Sequence, residues 1–178
     1  MTHEQLTRLI RDAAHNVFDT MLGIPLVDRE SSLQTIAPGS AAGVLALVGL
    51  AGRWAGSGAF SCTADSARAI SSALLMEKCE AVNEDVLDAI GEVANMILGN
   101  FKTGLEEELG PMGLSIPTVI YGRNFTTRSV GNSQWTVVPF DCADEIVNVH
   151  VCLAPARDHG LRDAHARHHA PAALSLAE

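Results

Sequence analysis

Positive charge is scarce in this chain. Twelve Lys and Arg stand against 21 Asp and Glu, a formal net charge of −9 over 178 residues. Nucleic-acid binding leans on phosphate neutralisation by Lys and Arg, and docking on anionic lipid needs the same sign. Neither a nucleic-acid partner nor a membrane partner is expected. Long apolar runs are missing too. The most apolar stretch, Ala41 to Ala51, has 11 residues and is broken by Gly43 and Gly49. A bilayer span needs about 20 apolar residues, so this stretch reads as a buried strand. The opening residues, Met1-Thr-His-Glu-Gln-Leu, show no basic-then-apolar export pattern, and the expected compartment is the cytoplasm. Paired cysteines are also absent. Cys62, Cys79, Cys142 and Cys152 form no C-x-x-C motif and have no His at metal-ligand spacing. Reduced, partly buried thiols are expected, with no metal centre and no bound cofactor.

What is present suits a folded core. Apolar residues make up 47% of the chain and charged residues 19%, a globular composition of single-domain length. Leu6, Ile10, Ala13, Val17 and Met21 mark one stripe of a helix over residues 5–22, stopped by Gly23 and Pro25. A strand over 32–37 ends at Pro38-Gly39. Strands over 43–52 and 57–62 pair as a hairpin, with Gly52-Arg53-Trp54 near the turn. Thr63 or Asp65 caps a helix reaching Met76. A long helix follows over 84–109, with Asn83 as its cap, Glu84 and Asp85 in its first turn, and Gly110-Pro111 as its stop. Strands over 115–122, 135–140 and 145–153 complete the pattern, the last two joined at Asp141-Cys-Ala-Asp144. The expected fold class is α+β: a single domain with a largely antiparallel sheet and amphipathic helices, one of them long. A faint duplication, a helix and three strands in each half, is suggested by element order and not by residue identity.

Residues 1–153 form the expected domain. From Ala154 the apolar period stops, and 154–178 reads as a flexible C-terminal tail. Its three Arg balance Asp158, Asp163 and Glu178, so the charge of −9 belongs to the folded part. His165, His168 and His169 have no packed element to orient their rings, which weighs against a metal site there.

The most informative stretch is Asp88-Ala-Ile-Gly-Glu92-Val-Ala-Asn95. On a helix, Asp88 and Glu92 differ by about 40° and Glu92 and Asn95 by about 60°, so all three share one face. The opposite face carries Val86, Ile90, Val93, Ile97, Phe101 and Leu105. A polar stripe opposite an apolar one is ordinary for a surface helix, and a solvated face is the default reading. Gly91 and Gly99 flank the stripe and are expected to leave it low and open. Two carboxylates alone make a poor metal site, because hard cations want six or more oxygens. A helix surface is convex whereas small-molecule sites are concave, which points to a macromolecular partner. An Asn carboxamide both donates and accepts, so it can orient a water without changing charge.

The stretch resembles the CheC/CheX/FliY phosphatase family, the CheX branch in particular. That family carries an acid or Ser, three residues, Glu, two residues, Asn, then 21 or 22 residues and Pro. Here Asp88, Glu92, Asn95 and Pro117 satisfy it, with 21 residues between Asn95 and Pro117. The likeness extends to Asp88–Lys102 as a block, to Ser115-Ile-Pro-Thr-Val119 and to Gly49-Leu-Ala-Gly-Arg-Trp-Ala-Gly56. It covers residues 6–153. The resemblance implies hydrolysis of the aspartyl phosphate of a CheY-type response regulator in two-component or chemotaxis signalling. It makes Asn95 the residue that positions the attacking water. Glu92 becomes the partner of a regulator lysine, and Asp88 a supporting neighbour. Mg²⁺ then belongs to the phosphorylated partner and no cofactor to this chain. CheC-like members carry the motif twice. The helix containing Ser66-Ala-Arg-Ala-Ile-Ser-Ser-Ala, read as the counterpart in the other half, has no Glu-x-x-Asn. One site per chain and a two-fold homodimer joined through sheet edges are expected. Pro117 is expected to shape a strand start and Lys102 to be a structural or rim charge. The alternative function is a non-catalytic binding module or adaptor that docks a response regulator or a flagellar-switch partner.

Overall fold

A computed structural model describes residues 1–38, 40–125, 127 and 134–156. Among them the order is α1 (His3–Val17), a π turn (Phe18–Leu22), β1 (Leu26–Asp28), β2 (Ser32–Gln34), β3 (Ser40–Gly52), β4 (Trp54–Cys62), α2 (Ala64–Leu75), α3 (Glu84–Leu109), β5 (Met112–Leu114), β6 (Thr118–Phe125), β7 (Trp135–Cys142) and β8 (Glu145–Pro155). The expected α+β class and the single long helix stand. The His-rich stretch of the expected tail lies outside the described residues. Residues 154 and 155 belong to β8, where Trp54 faces Pro155 in register.

The helices start where local hydrogen bonding lets them start. Thr2 accepts from the Gln5 backbone N–H while the Gln5 side chain accepts from the Thr2 N–H, a reciprocal capping box. Thr63, rather than Asp65, caps α2 by accepting from Ser66 N–H. Asn83 caps α3 by accepting from Val86 N–H. Each cap satisfies a donor that the first helical turn leaves orphaned.

The first helix ends differently from its expected form. The stripe holds through Ile10, Ala13 and Val17, which are buried, but Met21 is exposed. Phe18 and Leu22 are buried instead. A π turn carries more residues per turn than an α-helix, so it shifts the phase of every later side chain. Gly23 then closes the turn at φ +63°.

All eight strands belong to one sheet in the order β1-β7-β8-β4-β3-β5, with β2 also on β7 and β6 also on β3. Every pairing is antiparallel. Strand side chains alternate between faces. Val44, Ala46, Val48 and Leu50 of β3, Phe60 and Cys62 of β4, Val138 and Phe140 of β7, and Val147, Val149 and Val151 of β8 join helix side chains in one core.

The order of pairing exposes the duplication. In the first half α1 leads to two short strands and then the β3–β4 hairpin. In the second, α3 leads to β5, β6 and then the β7–β8 hairpin. The short strands cross over: β1 and β2 pair with β7, while β5 and β6 pair with β3. The hairpins meet where β4 pairs with β8. The counterpart of α3 is therefore α1 and not α2, a correction to the expected match. The expectation of one motif survives, because α1 also contains no Glu-x-x-Asn.

Two strands went unforeseen. β1 and β5 are three residues each, too short to display a period of two. β6 begins at Thr118, three residues later than expected. Ser115 explains the delay. Its hydroxyl accepts from the Gly49 N–H at 2.8 Å and donates to the Ile116 carbonyl at 2.8 Å. Pro117 follows with no N–H to offer a ladder.

Candidate functional site

The long helix is built as its sequence indicates. Val86, Ile90, Val93, Ile97, Phe101 and Leu105 are all buried in the core. Burying each such side chain contributes about 1.5–3 kcal/mol, so the orientation of α3 is strongly determined. The stripe turned away from the core is then forced outward. Asp88 and Glu92 are exposed and Asn95 is half-buried. Asn83, Asn100, Lys102, Thr103 and Glu106 of the same helix and its cap have hydrogen-bond partners. Asp88, Glu92 and Asn95 have none among the described residues, so their polar atoms face solvent.

Gly91 does not form the open rim expected of it, and Gly99 is only half-open. Gly91 is buried, and a Cβ there would lie 3.1 Å from Val119 Cγ2 and 3.6 Å from Pro117 Cβ. A Cβ on Gly99 would lie 3.9 Å from Leu114 Cδ1. The missing side chain of Gly91 lets the start of β6 approach the helix flank closely, whereas Leu114 meets Gly99 only at ordinary packing distance. Asn95 is four residues from each glycine. The chain from Leu114 to Pro117 therefore runs alongside it, in the direction opposite to the helix.

The lower end of the stripe is closed. Glu106 accepts from Lys102 Nζ at 2.8 Å and from Met112 N–H at 2.9 Å, tying the end of α3 to β5. These two hydrogen bonds, the Lys102 one first, hold the Glu106 carboxyl below the usual carboxylate range. Nothing in the sequence marks Glu106 for this role, because its partner Met112 belongs to a strand too short to show a period. Lys102 is the structural charge it was expected to be. Pro117 immediately precedes β6 and packs toward Gly91, beside Glu92.

Other titratable groups lie away from the stripe. Burial first, and the neighbouring Cys142 second, push the Cys62 thiol up to about 12. Burial raises Cys142 as well. Both are poor nucleophiles in that state. All four cysteines are free. His150 is buried on β8 with its Nε2 3.0 Å from Ser61 Oγ of β4, and burial lowers its pKa to about 4. No group of metal-binding side chains occurs among the described residues. No helix among them is long and apolar enough to cross a membrane.

Three helices on an eight-stranded antiparallel sheet, with an acid–Glu–Asn stripe on the long helix, define a CheC-like fold. A family model described as chemotaxis phosphatase CheX matches residues 44–141. The chain belongs to the CheX family. Solved structures agree. A CheX from Desulfovibrio desulfuricans is 30% identical, with a TM-score of 0.74 over 84% of this chain and 99% of that one. A protein of Desulfovibrio vulgaris Hildenborough is 28% identical, with a TM-score of 0.76 over 84% of this chain and 97% of that one. CheX in the CheX–CheY–BeF3–Mg complex of Borrelia burgdorferi is 29% identical, with a TM-score of 0.71 over 82% of this chain and 96% of that one. No curated protein matches.

Proposed function

We propose that this chain is a cytoplasmic phosphatase for a phosphorylated CheY-type response regulator. The observation that carries the proposal is the open stripe. In a CheX-family chain, Asp88, Glu92 and Asn95 stand outward on a rigid helix, without partners among the described residues. A relative of this chain is found in complex with CheY.

The chemistry is positioning. The phosphoaspartate is an activated acyl phosphate. Asn95 enters the regulator's site, accepts a hydrogen bond from a water and aims its oxygen at phosphorus. The water–phosphorus bond forms as the bond to the aspartyl oxygen breaks, releasing inorganic phosphate and restoring the carboxylate. Orientation of the nucleophile supplies the rate gain. Glu92 pairs with a regulator lysine beside the phosphate and sets the docking register. Asp88 supports this face from one turn earlier. Mg²⁺ resides on the regulator, and this chain contributes no metal ligand.

Dimerisation through a sheet edge is part of the proposal. β6 pairs only with β3 among the described residues, which leaves its other edge open. A two-fold dimer presents two sites, and sedimentation at micromolar concentration tests it.

The deciding experiment follows phosphate release from a phosphorylated CheY-like regulator with and without this protein. Acceleration by the wild type, lost in Asn95→Ala, supports the mechanism. Wild-type rates in both Asn95→Ala and Glu92→Ala would sink it. Tight binding without acceleration would make the protein an adaptor.

A further inference from the structure

Beside the polar stripe lies a side chain that the stripe's chemistry does not use. Ile116 is 86% exposed. A lone exposed isoleucine needs no explanation on its own, since much of any protein surface is apolar. Ile116 differs from most in being held still. On one side, Ser115 fastens the chain to β3 twice and braces the next peptide once. Its N–H donates to the Gly49 carbonyl at 2.9 Å, its hydroxyl accepts from the Gly49 N–H, and the same hydroxyl donates to the Ile116 carbonyl. On the other side, Pro117 has a fixed φ and packs toward the bare backbone of Gly91.

Its location follows from the two glycine contacts. Gly91 faces Pro117 and Gly99 faces Leu114. The two intervening residues, Ser115 and Ile116, therefore pass alongside Asn95, midway between the glycines. Ser115 turns inward to β3, and Ile116 turns to solvent. The surface around Asn95 thus has an acidic side from Asp88 and Glu92 and an apolar side from Ile116.

We infer that Ile116 is a docking contact for the same response regulator, seating against an apolar side chain that borders its phosphoaspartate pocket. The inference rests on the phosphatase reading of Asn95 and adds a specificity determinant to it. The backbone at Ile116 is already ordered by its neighbours, so association has only the side-chain rotamer to fix. It also shields the Asn95 water from bulk solvent once the partner is seated. Regulators with a charged side chain at the facing position are rejected, because that charge would be desolvated without a partner.

The test measures phosphate release against regulator concentration for the wild type, Ile116→Asp and Ile116→Leu, together with binding of the beryllofluoride- and Mg²⁺-loaded regulator. Ile116→Asp is expected to raise the half-saturating concentration about tenfold, with the maximal rate falling by less than about twofold. Ile116→Leu keeps both near wild type. An exposed position makes misfolding of either variant unexpected, and matched thermal midpoints check that. If the wild type accelerates release and Ile116→Asp saturates at the same concentration, the docking role is overturned while the phosphatase reading stands. If the wild type neither binds the loaded regulator nor accelerates release, both fall.

Discussion

On α1, the side chains of His3, Thr7, Arg11 and His15 are taken up by the segment of β1 and the loop after it; on α3, its topological counterpart, Asp88, Glu92 and Asn95 have no such partner among the described residues. Asp28 at the end of β1 receives both Arg11, whose Nε lies 3.1 Å away, and His15, whose Nε2 lies 2.8 Å away. The Arg11 contact is an ion pair and not a hydrogen bond, since its N–H is not aimed at the oxygen. Arg11 instead donates through Nη2 to the Arg29 carbonyl at 2.8 Å. Ser31 takes His3 and Thr7. In the second half, the β5–β6 segment meets α3 through glycines and through Glu106, and so leaves Asp88, Glu92 and Asn95 unclaimed. The same arrangement of elements ties four side chains of α1 to the neighbouring segment in one half and leaves the Asp88–Glu92–Asn95 stripe of α3 available in the other. Satisfied groups hold a structure together, whereas free ones on a rigid helix are available to a partner.

The largest effect should come from the free face. Asn95→Ala is expected to lower the maximal rate of phosphate release about a hundredfold by releasing the water, with a smaller change in regulator affinity. Loss of affinity at an unchanged maximal rate would instead make Asn95 a docking residue and blunt the contrast with α1.

The seam between the halves comes next. His150 on β8 stays neutral in the folded protein down to about pH 4, whereas an unfolded histidine takes up its proton near 6.5. The folded pKa is depressed, so the unfolded state holds more protons in the window between those values. Stability is therefore full above about pH 6.5 and falls with pH, by roughly 2 kcal/mol at pH 5. Urea midpoints across pH 4–7 for the wild type and His150→Gln measure it. A wild-type slope that persists in the variant would move the effect to another group.

Glu92→Ala is expected to raise the half-saturating regulator concentration about tenfold and to lower the maximal rate less than Asn95→Ala does. Equal effects on both parameters would assign Glu92 to the transition state rather than to docking. The smallest effect belongs to the satisfied face. Asp28→Asn removes an exposed carboxylate and should cost no more than about 1 kcal/mol in thermal or urea unfolding, while phosphate release stays as in the wild type. A loss of activity there would show that α1 also faces the partner.

Much of this was legible in the sequence, and the failures have physical causes. The bounds of α3, the Asn83 cap, the buried stripe and the hairpin at Gly52-Arg53-Trp54 follow from local rules that a few neighbouring residues express. The π turn escaped because nothing in Phe18-Asp-Thr-Met-Leu22 marks a change in residues per turn. β1 and β5 escaped because three residues hold no period. Gly91 was misjudged for a related reason. A glycine in a helix signals close approach as readily as an open surface, and only the position of Pro117 and Val119 distinguishes the two.

The sequence by itself determined which face of α3 is buried, which three polar residues oppose it, and that their pattern occurs once. Those are properties of neighbours along one helix, set by its pitch and by the burial of one apolar stripe. Tertiary structure alone decided that α1 is the counterpart of α3. It also decided that each half's short strands pair with the other half's hairpin, and that the Leu114–Pro117 segment follows the flank of α3 between Gly99 and Gly91. Those depend on contacts between residues far apart in the chain, where pairing and close packing, not local periodicity, select the arrangement.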